Sequence, residues 1–266
     1  MRTTSYRYPH EQLILTLTLF LVLVVIAVTA TATVCASVIF IVIYVAISAY
    51  FSYSHHQSLL GNAQRITAQD TPELAQVVKR GMSRLEPGEV EVYALRSQEL
   101  NAYTFGLSSP KVVVLYSGLF QVMDAEETLF VLGHELGHVA LGHTWLNSLV
   151  GGMAGIPSTW SAGSLLTMAF LWWNRACEYS ADRAGLLACG SPQKAITALV
   201  KLAAGPNAHT SLALENAYHQ IDAEDDTFLG SLNEALSSHP LLIRRIQELR
   251  RYASTDQYRR LFDLMD

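Results

Sequence analysis

Hydrophobic and polar positions divide this chain unevenly. Leu13 to Phe51 runs for 39 residues without a charge, a histidine, an asparagine or a glutamine. As one helix it would be about 58 Å long, roughly twice the hydrocarbon thickness of a bilayer, so two crossings fit better than one. The turn between them falls near Thr29 to Thr33, where small hydroxyl-bearing residues replace bulky aliphatics. A signal peptide is rejected because the run far exceeds its apolar core of about 7–15 residues. The chain thus divides into an N-terminal tail (1–12), a transmembrane helical hairpin (13–51) and a larger domain (52–266).

A second uncharged stretch, Trp145 to Trp173, lies inside that domain. It is too short for two crossings and a turn, which take about 40 residues. Gly151, Gly152, Gly155, Pro157 and Gly163 also break any continuous helix. Residues 145–173 are read as a membrane-interfacial insertion with Trp160, Trp172 and Trp173 at headgroup level. A hydrophobic flap packed on the domain explains the same composition.

The remaining periodicity is that of a mainly helical α+β fold with a small sheet. Val90–Leu95 and Lys111–Tyr116 are β-branched or alternating runs and read as strands, with Asn101–Gly106 between them. Residues 57–85 read as helix with a restart at Thr71-Pro72. Glu126–Leu132 is helix-compatible, and Ser191-Pro192 starts further helices.

One polar pattern carries chemistry: His134-Glu135-Leu136-Gly137-His138. Histidines four residues apart lie about 40° apart around a helix, so one zinc ion can bridge both imidazoles. Glu135 then stands beside the metal without binding it, where a general base for water is needed. A third ligand is required. A histidine six residues past His138 is absent, since Thr144 occupies that position. His143 lies about 900° beyond His134, on the opposite helix face, and is not expected to bind. A second helix around residues 174–185 offers Glu178 and Asp182, spaced i, i+4. Glu178 can reach the metal while Asp182 fixes a ligating imidazole from behind. Such a carboxylate pair needs a compensating cation, and zinc with Arg175 or Arg183 could supply it.

Charge and cysteine content add context. The net charge of −5 leaves no footprint for nucleic acid. Arg244, Arg245, Arg250, Arg251, Arg259 and Arg260 make the C-terminal helices locally basic, best explained as solvated faces with acidic partners. Arg2 and Arg7 precede the apolar run and favour a cytoplasmic N-terminus; two crossings return the larger domain to that side. Cys35, Cys177 and Cys189 have no framework spacing, and Cys177 is read as a structural thiol.

Val131 to His143, followed by Glu178 and Asp182, resembles the HtpX-type membrane zinc metallopeptidases, relatives of the CAAX prenyl proteases. Asn101 to Gly106 resembles the edge strand that aligns substrate in that family, which implies contacts from Asn101, Ala102 and Tyr103. Ser238-His239-Pro240 with Arg244 and Arg245 resembles its C-terminal motif. It implies that His239 stabilises the oxyanion, a role for which Tyr103 and Tyr179 are rivals. The resemblance spans residues 60–250 and implies a gluzincin-like fold. Related proteins carry a longer insertion with full crossings where this chain has 145–173.

The sequence therefore points to a membrane-anchored zinc metalloendopeptidase acting on polypeptides, with one zinc held by His134, His138 and Glu178 and with Glu135 as base. The lipid bilayer is its other partner, and membrane-protein quality control is the role implied by the resemblance. The alternative is a catalytically silent membrane scaffold, from which loss of Glu135 or a ligand would be expected.

Overall fold

A computed structural model describes residues 3–33, 36–106, 109–146, 161–205, 208, 210, 212 and 242–265. The apolar N-terminal run folds into two helices, α1 (Glu11–Ala32) and α2 (Ala36–Leu60), broken near the expected position. Glu11–Thr31 is long and apolar enough to cross a bilayer, and Val38–Ile47 is a shorter apolar segment. The hydroxyls of Thr16, Thr29, Thr31 and Thr33 donate to carbonyls three or four residues earlier, so these polar groups need no water. Large side chains such as Phe20, Leu23 and Ile39 remain more than half exposed. Apolar exposure on this scale marks a surface that meets something other than water. The opposite side of α1 packs on the protein: Ile14 is buried against Phe170, Trp173, Ala176 and Cys177.

A strand β1 (Ala63–Arg65) follows, then α3 (Pro72–Leu85), β2 (Val90–Leu95), β3 (Ala102–Phe105) and β4 (Lys111–Tyr116). The two long strands and the Thr71-Pro72 helix start lie where the sequence pattern puts them. The first part of the expected 57–85 helix, before its restart, ends at Leu60. Gly61 and Asn62 sit in a turn, and Ala63–Arg65 pairs antiparallel with Tyr93–Leu95. A three-residue strand exists only through its neighbour's ladder, which local periodicity cannot reveal. The sheet order is β1-β2-β4-β3, with β2 and β4 parallel and β3 antiparallel to β4, leaving β3 at an edge.

After a short helix α4 (Leu119–Val122) comes α5 (Ala125–Ala140), which carries both histidines of the motif. Its start is strongly specified. Asp124 accepts hydrogen bonds from the backbone N–H of Glu126 and Glu127, and the Glu127 carboxylate accepts from that of Asp124, each at 3.0 Å. Glu127 is buried and also accepts from Lys201 at 2.7 Å. The partner helix α6 (Ser161–Cys189) is continuous through Gly163. Its long register outweighs the roughly 1 kcal/mol cost of one internal glycine. Residues 147–160 of the apolar insertion, including Trp160, lie outside the described residues. Trp173 is buried beside Phe170 and Ile14 of α1, whereas Trp172 is half exposed. The fold ends with α7 (Pro192–Ala204), capped by Ser191, then α8 (Leu242–Ala253) and α9 (Asp256–Asp263).

The central contact is between α5 and α6. A Cβ built on Gly133 would stand 2.4 Å from the Ala188 Cβ, and one on Gly137 would stand 2.5 Å from the Ala184 Cβ. Glycine at these positions, one turn apart, lets the two helices touch nearly backbone to backbone. The main core spreads from this contact to α3, α7, α8 and one face of the sheet through Val92, Val113 and Leu115.

Candidate metal centre

The close approach of α5 and α6 brings the side chains of the two sequence motifs together. His134 Nε2 and His138 Nε2 face each other at 3.2 Å. Glu178 places its carboxylate oxygens 3.6 Å from His134 Nε2 and 3.5 Å from His138 Nε2. One ligand atom from each residue lies within 4.8 Å of the others. Two imidazole nitrogens and one carboxylate oxygen, converging with an open side, form a donor set that suits a divalent zinc ion. His134 adds a geometric test. Its Nδ1 stands 3.0 Å from Asp182 Oδ1, an acceptor-only carboxylate, so Nδ1 carries the proton and Nε2 presents its lone pair to the cluster. The donor set fits a cation.

The counter-charge for Glu178 and Asp182 comes from elsewhere than expected. Arg245, on α8, donates to both Asp182 oxygens at 2.8 and 2.6 Å and approaches Glu178 at 3.4 Å. Burial opposes ionisation of Asp182, but the Arg245 guanidinium outweighs it and holds the carboxyl below the usual range. Arg183 turns away instead. Its guanidinium lies over the rings of Tyr8 and Tyr252 at 5.1 and 4.5 Å and donates to the Arg7 carbonyl. Nothing local to the 174–185 segment signals Arg245, whose basic helix reads as a solvated face. The other C-terminal arginines fit that reading, with pairs such as Arg251–Glu248 and Arg259–Asp256.

Glu135 is buried next to the histidines, and burial pushes its carboxyl above the usual range. It lines a cavity of about 380 Å³ together with His134, His138, Glu178 and Arg245. Residues 100–104 line the same cavity, so Asn101, Ala102 and Tyr103 of the edge-strand region all border the groove. The two tyrosines considered as oxyanion donors have aromatic neighbours of their own, and Tyr103 also borders the groove. Tyr103 stacks with Phe105 at 5.9 Å on the far face of the sheet, and Tyr179 packs against Tyr8 at 4.9 Å. His239 lies outside the described residues. His143 touches His138 through the ring nitrogen facing away from His134, with its Nδ1 3.1 Å from His138 Nδ1. Burial holds the His143 imidazole neutral, with a pKa down to about 4. Cys177 is buried in the α1–α6 contact, and burial raises its thiol well above the ordinary value.

Comparison with known proteins gives the family of the chain. The model of peptidase family M48 matches residues 68–253. The chain is 28% identical over 185 residues to the plastoglobule-localized metallopeptidase 48, chloroplastic, of Arabidopsis thaliana, covering 64% of this chain and 54% of that protein. It therefore spans about half the length of that relative. It is 26% identical over 251 residues to the Protease HtpX homologs of Burkholderia cenocepacia and Burkholderia orbicola, covering 79% of this chain and 85% of each.

Proposed function

This chain belongs to peptidase family M48, as an HtpX-like metallopeptidase, and from that premise we propose a membrane-anchored zinc metalloendopeptidase with His134, His138 and Glu178 as ligands. The observation that carries the reading is the convergence of these three side chains beside a buried carboxylate, in a groove walled by an edge strand. When bound, zinc supplies Lewis acidity that polarises a scissile carbonyl and acidifies water. Glu135 takes a proton from the water as its oxygen bonds to the carbonyl carbon. It returns that proton to the amide nitrogen as the C–N bond breaks. Asp182, clamped by Arg245, keeps His134 in the ligating tautomer.

An extended polypeptide fits this site as one more strand on β3. Tyr116 donates its backbone N–H to the Asn101 carbonyl at 3.0 Å, so the alternation of an antiparallel ladder turns the N–H groups of Ala102 and Thr104 outward. Thr104→Pro removes one outward donor without cutting the β3–β4 ladder. It is expected to raise KM for polypeptides about 2–10-fold, the worth of one hydrogen bond, with unchanged thermal unfolding. An unchanged KM would move substrate away from this edge.

The bilayer reading has independent support. Arg7 donates to the Leu141 carbonyl at 2.8 Å and Glu11 pairs with Ser180, so α1 begins at the catalytic domain. The strand that follows α2 joins the same domain. Both ends of the apolar pair thus belong on one side, which favours two crossings and, with Arg2 and Arg7, a cytoplasmic active site. Residues 1–12, 13–51 and 52–266 then act as tail, anchor and peptidase, and the substrates are misfolded or membrane-proximal polypeptides.

Metal removal tests the chemistry. Chelation should abolish cleavage of an unfolded polypeptide by the purified full chain, and one equivalent of zinc should restore it. Full cleavage after the metal is gone would sink the assignment.

A further inference from the structure

A second carboxylate reaches the metal centre from the membrane anchor. Glu11, the first residue of α1, is 1% exposed, and so is His143. His143 Nε2 stands 3.0 Å from Glu11 Oε1, and His143 Nδ1 stands 3.1 Å from His138 Nδ1. The Ser180 hydroxyl donates to Glu11 Oε2 and in turn accepts the backbone N–H of Tyr8 at 2.7 Å. Arg7 pairs with Glu11 and also holds the Leu141 carbonyl at the end of α5. A buried carboxylate persists only with partners of this kind.

With Glu11 ionised and His143 a neutral imidazole, these contacts allow one arrangement of protons. Glu11 accepts only, so His143 carries its proton on Nε2 and leaves Nδ1 as an acceptor. His138 must then donate from Nδ1, which leaves its Nε2 lone pair pointing at His134 and Glu178. We infer that His143 and Glu11 are positioning residues of the metal centre, which hold His138 in its ligating tautomer through a His138–His143–Glu11 relay. This rests on the reading of His138 as a ligand. The two histidines of the motif are then fixed by different means. His134 is locked directly by Asp182, while His138 is locked through a second imidazole by the first residue of the anchor helix. Metal affinity therefore depends on the seating of α1 against α6.

The test uses the full-length protein in lipid nanodiscs. Zinc affinity is measured by chelator competition, and the geometry is followed by the visible absorption of the cobalt(II)-loaded protein. His143→Phe keeps a ring but offers no acceptor, whereas His143→Asn places an amide oxygen near the Nδ1 position. The phenylalanine variant is expected to bind zinc about 10–100-fold more weakly, as loss of an outer-shell partner does, with a shifted cobalt spectrum. The asparagine variant is expected to recover most of that loss. Glu11→Gln keeps the shape without the charge and is expected to weaken zinc less than His143→Phe. It also serves if the phenylalanine variant does not fold.

Wild-type affinity in both His143→Phe and Glu11→Gln would overturn the relay, as would equal losses in the phenylalanine and asparagine variants, which would reduce His143 to packing. Two zinc equivalents in the wild type, one of them lost in these variants, would also overturn it and make Glu11, His143 and Cys177 a ligand set. A wild-type chain that binds neither zinc nor cobalt would overturn the metal centre itself.

Discussion

Glu135→Gln is expected to lower polypeptide cleavage about 10²–10⁴-fold, the usual worth of a positioned general base, while zinc content stays at the wild-type level. The amide has the shape of the carboxylate but cannot take a proton from attacking water. All three candidate ligands remain, and Glu135 is not among the atoms that converge on the cluster. The measurement pairs metal per chain with the cleavage rate of an unfolded polypeptide. Unchanged cleavage would remove Glu135 from the proton transfer. Loss of metal together with activity would instead make its carboxylate part of the binding set.

The second large effect concerns a residue that touches neither metal nor substrate. In Gly137→Ala the new methyl would have to fit where 2.5 Å separates its position from the Ala184 Cβ. Two terms compete. Alanine improves helix propensity by about 1 kcal/mol over glycine. Overpacking a core contact costs about 1–3 kcal/mol or more, and here both neighbours are stiff helix backbones without a flexible tip to yield. Overpacking wins, and α5 and α6 must separate. Because His134 and His138 stand on one helix and Glu178 on the other, the same separation pulls the ligand set apart. The variant is expected to melt earlier and to bind zinc more weakly. Adding Ala184→Gly should return much of both losses, since it removes the opposing methyl. A double variant as damaged as the single one would locate the defect in the helix itself.

Some of this architecture is written in local pattern. The two long strands, the proline-marked helix starts at residues 71–72 and 191–192, and the Glu178 and Asp182 spacing need only neighbours a few residues away. The features that sequence alone misses depend on distant partners. Arg245 finds Asp182 across 63 residues, and its helix gives no sign that one arginine turns inward while others face water. Strand β1 exists because β2 lies beside it. Helix α6 runs through Gly163 because its length outweighs one weak residue. Trp173 has the composition of a membrane-surface residue but is claimed by Ile14 of α1 and by Phe170. Helix phase puts His143 on the face opposite His134, but α5 ends at Ala140 and the chain turns at Gly142, which brings His143 back against His138 and Glu11, 132 residues earlier.

The glycine–alanine seam between α5 and α6 also bears on how such a protein is made. Zinc-finger domains borrow their folding energy from the ion and collapse when it is withheld. Here the two ligand-bearing helices are clasped by their own backbones, and the start of α5 is pinned by Asp124, Glu127 and Lys201. Folding of this helix pair can therefore be completed before any metal arrives. If His134, His138 and Glu178 hold zinc as proposed, a newly synthesised chain would wait intact but inert, and the supply of free zinc would decide when proteolysis begins.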